Sequence, residues 1–485
     1  MKRQHPIWLV VPSVVALTAA LPPRPAMAQP SPEAPADATT EPTPEQPEAA
    51  TASEPTPSPS PSVAAETADP PPAAEATASA TIEPTDTGAE TSASVTTDDE
   101  TSAEASADEA TEPDAAVTDS TDTEDAGEAE PKWTDNFSIG AFADAYFSLN
   151  TNFPRPQGGN NVLRAFDGAN GFSLAWAGLN TAYEGERAAA TIDLRFGTGP
   201  NAGWADDSIP GIQHVKQAFG TWHALPDGKL SFDFGRFDTI YGAEVAESWQ
   251  NHNYTRGGLY NLAQPFWHTG LRVSSQLTDK LGITGMLVNG WGHIVDNNTA
   301  KSLGLQLGFT PSDVFGLYVG YLGGAESDDV DAETGAEIEG ANWDLRHLAD
   351  VVMTVNVKKF SLAFNADYIF DDTPTGTQQW AGAMLSAGYQ ALPWMGIAAR
   401  GEYLFDPDGF MSGVESNNLA TGTLTLDFLP ADMVTLRLEG RGDGSTTAIF
   451  PTGSAPPSTD PDMPGTPDLR QYQFTVTLGM VVHSF

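Results

Sequence analysis

The sequence predicts an all-β protein: a transmembrane antiparallel β-barrel of about sixteen strands, preceded by a disordered acidic tail. Three observations carry that expectation. From Lys132 to the C-terminus, apolar and polar residues alternate with a period of two. Short and long connections alternate between these runs. Every Phe and Tyr, and every Trp except Trp8, lies in the same region.

Charge and composition narrow the function first. The 485 residues carry 65 Asp+Glu against 22 Lys+Arg, a net charge of −43, and no Cys. A nucleic-acid binder needs a basic surface facing phosphate, so that class is disfavoured. Without Cys there are no disulfide scaffolds, thiolate zinc sites or Cys nucleophiles. Forty-six Gly and 38 Pro, with 18% charged residues, suit a turn-rich β protein joined to a disordered segment.

Residues 1–28 read as a signal peptide. Lys2 and Arg3 give the charged start, Ile7 to Ala20 the apolar stretch, and Ala26-Met27-Ala28 the small-x-small cleavage site. Pro12 interrupts the apolar stretch, which is short for a spanning helix. Residues 29–131 form the acidic Pro/Ala/Thr/Glu-rich region. From residue 30 onward it has 26 acids and no Lys, Arg, Phe, Tyr, Trp or Leu. With so little to bury it cannot offset backbone ordering, which costs roughly 1–2 kcal/mol per residue. It is expected to be a disordered spacer.

Residues 132–485 carry the barrel. Phe137, Ile139, Ala141, Ala143, Ala145, Phe147 and Leu149 make one face of the first strand; Ser138, Gly140, Phe142, Asp144, Tyr146 and Ser148 lie on the other. The same period recurs in Ala188 to Gly197, Ser302 to Phe309, Phe360 to Tyr368, Val434 to Arg441 and Gln471 to Val482. Turn-forming segments separate the runs: Tyr183 to Arg187, Leu225 to Gly228, Leu277 to Lys280, Thr310 to Asp313, Val357 to Lys359, Leu392 to Trp394 and Leu429 to Asp432. Longer segments alternate with them. This is the layout of an outer-membrane barrel, with short turns at the periplasmic rim and apolar residues toward lipid. Trp222 and Trp394 lie near short turns, and Trp267, Trp291 and Trp380 near long ones, which suggests two aromatic girdles. The last apolar face runs on even numbers to Val482 whereas Phe485 is odd, so either a bulge lies near Val481 to His483 or the terminal signal is imperfect.

Several motifs then add a family. Gly235-Arg236-Phe237, Tyr241-Gly242-Ala243-Glu244, Asn251-His252-Asn253-Tyr254-Thr255-Arg256, Pro265-Phe266-Trp267-His268-Thr269-Gly270 and Val288-Asn289-Gly290-Trp291 resemble the OmpL-like family of β-barrel porins (type 2). Ala143-Asp144-Ala145-Tyr146 fits as well. The resemblance implies an outer-membrane channel of a Gram-negative cell, with the tail in the periplasm, and leaves the solute open. It also implies outer-membrane lipid and small hydrophilic solutes as partners, contact with the barrel-assembly machinery through Phe485, and a homotrimer as one assembly it allows.

The segment Asp238 to Phe266 is the candidate constriction, being long and rich in polar groups. Glu244, Glu247, Asn251, Asn253 and Arg256 are its candidate pore residues, with Glu244 and Glu247 expected to oppose wall arginines and set up a transverse field. The alternative is an outward loop in which Arg256 pairs with a glutamate. Lumen-wall candidates are Asp144, Asp193, Arg195, Arg272, Arg400, Glu402, Arg437, Glu439 and Arg441, joined by Lys229, Asp233, Asp350, Asp367 and Asp427. Mutual ion pairing that merely fills the lumen competes with a selectivity role for all of them.

No catalytic, metal or cofactor site is expected. His252 and His268 lack a HxxxH-type spacing, and Asp329 to Gly335 lacks the glycine that a calcium loop needs at its sixth position. Ser274 or Ser275 with His268 is not selected by any motif. The second reading of function is a structural or adhesive barrel whose tail or loops bind a partner. The net charge divides as +3 in residues 1–28, −26 in the tail and −20 in the barrel; Glu326 to Glu339 alone holds seven acids.

Overall fold

The computed structural model describes residues 133–154, 162–200, 209–225, 228–331, 334–338, 340–373, 376–453 and 468–484. The signal and tail segments and Phe485 lie outside these residues.

Sixteen strands close into one antiparallel barrel. They are β1 (Phe137–Asn150), β2 (Gly171–Glu184), β3 (Ala188–Phe196), β4 (Val215–His223), β5 (Leu230–Asp238), β6 (Trp267–Thr278), β7 (Leu281–Val288) and β8 (Ser302–Ser312). There follow β9 (Phe315–Ala325), β10 (Leu345–Val357), β11 (Phe360–Thr373), β12 (Gly376–Leu392), β13 (Met395–Asp406), β14 (Asn417–Ala431), β15 (Val434–Ser445) and, last in the chain, β18 (Tyr472–His483). Between β15 and β18, Phe450–Pro451 (β16) and Leu469–Arg470 (β17) pair as a separate ribbon. Each barrel strand pairs with its sequence neighbours, and β18 pairs with β1 to close the ring. Closure leaves no open edge, which is what a sheet in hydrocarbon requires.

Alternation places the apolar residues outside. Ile139, Phe172 and Phe234 are 73%, 89% and 74% exposed, while the intervening Asp144, Asp193 and Glu439 are buried inside the ring. The first strand begins, and the last strand ends, on the rim that carries the tight turns.

Four expectations are corrected. The last strand has no bulge: Val434 to Gly444 of β15 pair in unbroken register with Val482 to Tyr472, and Phe142 to Asn150 of β1 with His483 to Thr475. Of the five Trp residues expected in the girdles, Trp222 and Trp394 at the tight-turn rim are exposed, each by about half. Trp380 is buried against Phe410 at 4.0 Å between ring centroids, and Trp267 lies 3.8 Å beneath the Arg236 guanidinium. At the far rim Phe172, Phe405 and Tyr472 are exposed instead. Connections do not alternate throughout, because β11 and β12 form a hairpin with Thr373 opposite Gly376. Lys229 sits in the turn before β5 rather than on a strand wall.

One carboxylate among the rim loops is unusual. Glu326, just beyond β9, accepts the Trp291 amide at 3.0 Å and the Ser302 hydroxyl at 3.3 Å. Burial pushes its carboxyl up to about 7, against the counter-effects of Trp291, Arg346 and Ser302. An acid raised in the fold binds its proton more tightly there than in the unfolded chain. Its penalty is therefore absent below the usual carboxylate value of 4.5, builds as pH rises from there to about 7, and is complete above. Glu326→Gln is expected to remove a loss of thermal stability between mildly acidic and neutral pH, measured as Tm against pH. An unchanged Tm profile would assign that loss to other groups.

A constriction loop clamped inside the barrel

The segment between β5 and β6 begins at Asp238 and returns at Trp267, and it lies within the ring. Its apolar side chains carry it there. Ile240, Tyr241, Ala243, Leu259 and Ala263 pack in one buried cluster with Phe237, Met286, Leu322, Leu348, Val352, Ile369, Met384, Leu404 and Leu419 of the wall. Inward positions of β9 to β14 are thus partly apolar because the loop covers them. Tyr254 and Tyr260 belong to a second cluster with Phe142, Tyr146, Phe166 and Trp176. Two inward glycines make room. A Cβ on Gly479 would collide with the Tyr254 ring, and one on Gly320 with the Tyr241 ring.

The wall then grips the loop by its backbone. Arg437 of β15 donates to the carbonyls of Ser248, Asn251 (2.9 Å) and Asn253 (3.1 Å). Arg400 of β13 donates to the Thr255 carbonyl at 2.5 Å, and Arg441 of β15 to that of Arg256 at 2.6 Å. The acids take the opposite groups. Glu439 accepts the Tyr254 amide at 2.7 Å and the Thr255 amide and hydroxyl. Glu402 accepts the amides of Gly258 and Leu259, the start of the short helix Gly258–Ala263. Asp144 of β1 accepts the Ser248 hydroxyl at 2.6 Å and the Tyr254 hydroxyl at 2.7 Å. A loop this buried cannot leave its amides and carbonyls to water, so charged wall residues satisfy them.

The loop's own acids sit in closed pairs. Glu244 contacts Arg400 at 2.5 Å and accepts the Gly257 amide. Glu247 accepts from Arg195 and from Lys216, both at 2.6 Å. Burial alone raises the Glu247 carboxyl, but Lys216 and Arg195 beside it bring it down to about 2. Glu244 is raised by burial, with Arg400 opposing and Glu402 reinforcing the shift. Each glutamate thus lies against a wall arginine, Glu244 on Arg400 and Glu247 on Arg195, at contact distance.

The remaining candidates divide by role. Asn251 holds the loop to itself through Val245 and Glu247, whereas Asn253 donates to Thr425 of β14 at 2.8 Å. Arg256 pairs with Asp167 at 3.3 Å and with no glutamate among the described residues. Asp193 accepts from Gln217 at 2.8 Å, and Arg272 pairs with Asp233 at 2.8 Å, both away from the loop's clamp. Arg437 also meets Asp427, and Arg441 meets Asp443.

Sequence reasoning missed four participants. Lys216 falls on the outward phase of β4, with Ala218, Gly220 and Trp222. A register shift between Asp193 and Leu194 skips it, and the bulge turns it inward. Asp238 completes that pair, 2.8 Å from Lys216. Arg164 and Asp167 come from the loop after β1; Arg164 bonds Asp167 and Thr475, tying this loop to Arg256. No local pattern announces them, although Val162 to Phe166 carry apolar residues that an exposed loop does not need.

A closed sixteen-strand ring, apolar outside, with a long loop folded within it, defines the outer-membrane porin class. Residues 136–483 match the family model described as "Putative beta-barrel porin-2, OmpL-like", and the chain belongs to that family. It is an outer-membrane porin. No curated protein matches it in sequence. Similar solved structures include OmpT of Vibrio cholerae, at 13% identity over 72% of this chain and 97% of that one, TM-score 0.45. Others are an anion-selective porin from Comamonas acidovorans (9% identity, 72% and 99% covered, TM-score 0.47) and Salmonella typhi OmpF in complex with daunomycin (14%, 73% and 99%, TM-score 0.46).

Proposed function

We propose that this porin passes small ions and small hydrophilic solutes through a lumen narrowed by the loop Asp238 to Phe266. The observation that carries this reading is the clamp: wall residues from β1 round to β15 bond one buried loop. Glu244, Glu247, Asn251, Asn253 and Arg256 border the narrowed path, and Arg195, Arg400, Glu402, Arg437, Glu439 and Arg441 fix where it lies. Asp144 anchors the loop from β1, which only β18 separates from β15. No step in such passage needs a cofactor or a nucleophile.

Selectivity then depends on the net charge of the closed groups. Glu247→Gln leaves Lys216 paired with Asp238 and takes from Arg195 the carboxylate it pairs with among the described residues. The reversal potential in a salt gradient is expected to move toward anion preference, with a smaller shift for Glu244→Gln. Unmoved reversal potentials in both variants would place this loop outside the conducting path.

In the same reading the signal peptide directs export, and the acidic tail is a periplasmic spacer. Phe485 addresses the barrel-assembly machinery, the outward apolar band meets lipid, and the barrel works as a homotrimer. Deleting residues 30–131 is expected to leave assembly and conductance unchanged; lost assembly would give the tail a role beyond spacing.

A further inference from the structure

Asp350 of β10 and Asp367 of β11 stand opposite each other in register, 0% and 3% exposed. Directly opposed on neighbouring strands, both side chains project to the same inward side of the wall. The other bonds of the pair come from neutral donors. Asp350 accepts the Gly242 amide at 3.2 Å and Asn365 Nδ2 at 2.9 Å. Asp367 accepts Gln264 Nε2 at 2.7 Å and Asn365 Nδ2 at 3.2 Å. Asp350 Oδ1 receives no N–H or hydroxyl from any described residue.

The surroundings supply no compensating charge. The flanking strands place Gly320 of β9 opposite Asp350 and Gly382 of β12 opposite Asp367. The loop brings the Tyr241 phenol and the Gln264 amide to the pair, and β11 brings Asn365. No Lys, Arg or His pairs with either carboxyl among the described residues. Two ionised carboxylates buried side by side, with no cation, repel each other and lose hydration that nothing returns. A carboxyl–carboxylate hydrogen bond removes both problems with one proton, and it supplies the donor that Asp350 Oδ1 lacks.

We propose that Asp350 and Asp367 hold one proton between them and that this shared proton latches both ends of the constriction loop to the wall. Gly242, where the loop enters, hangs on Asp350. Gln264, where it leaves, bridges Asp367 and Asn365 Oδ1, and the Ala243 amide adds a bond to Asn365 Oδ1 at 3.1 Å. The latched state binds the proton more tightly than a released state whose carboxylates are hydrated separately. The latch is therefore closed at low and neutral pH and opens as pH rises. The inference rests on the loop being the constriction.

The test uses the whole barrel in lipid. Infrared difference spectra between neutral and alkaline pH are expected to show a protonated-carboxyl stretch that is lost on alkalinisation and missing from Asp367→Asn. Glu326 contributes to both proteins and cancels between them. Single-channel conductance of the wild type is expected to rise at alkaline pH, with greater mobility of a spin label on Val245→Cys in this otherwise Cys-free chain. In Asp367→Asn the amide donor replaces the shared proton, and both readouts stay flat with pH. Absence of the carboxyl band at neutral pH, or the same alkaline rise in Asp367→Asn, overturns the latch. Conductance that is present but independent of pH defeats the latch alone, whereas no conductance at any pH defeats the porin reading.

Discussion

Excising the loop, by joining Thr239 to Pro265 through a short Gly-Ser linker, is expected to raise single-channel conductance severalfold while leaving the barrel folded. The ring does not depend on this segment for its closure, since every strand is bonded to two neighbours. What the loop contributes is occupancy. Its apolar residues cover Leu348, Val352, Ile369, Leu404 and Leu419, which face the lumen. Without it these side chains meet water, so thermal stability falls as conductance rises. Each buried apolar side chain exposed costs about 1.5–3 kcal/mol. Bilayer recordings beside thermal melts check both halves, and an unchanged conductance would mean that the loop does not limit the path.

Arg437→Ala is expected to free the loop without removing it. Three carbonyls, those of Ser248, Asn251 and Asn253, lose their donor at once. A buried carbonyl left without a partner costs about 1–3 kcal/mol, so the loop favours excursions that let water reach these oxygens. Open-channel noise should increase, with mean conductance between the wild type and the excised form. Arg437→Lys should rescue little, because one ammonium cannot reproduce the guanidinium fork that reaches three acceptors. Asp427 loses its partner as well, adding an unpaired lumen acid and shifting preference toward cations. A quiet, wild-type channel in Arg437→Ala would show that the remaining clamps suffice.

The barrel was legible in the sequence because its information is local. Period-two alternation and turn chemistry set the strands, the closing pair and the outward face within short windows. The lumen was legible only in its residue types. Glu244, Glu247 and the arginines of β13 and β15 could be selected by charge, but which would touch was not encoded nearby. Arg437 meets carbonyls some 184 to 189 residues away in sequence. Lys216 was hidden by a single bulge that reverses its face. The apolar inward residues of β10 gave a signal that polar-in, apolar-out reasoning discarded: Leu348 and Val352 lie between the outward Ala349, Val351 and Met353. A strand apolar on both faces is packed on both sides, and here the second side is the loop.

The central claim is that this ring conducts past a loop held inside it. Planar-bilayer recording of the purified, folded full-length protein tests it most directly. The account predicts discrete, ohmic current steps, well below those of the same barrel with residues 240–264 excised. Absence of current from folded protein, or steps equal to those of the excised barrel, would contradict it.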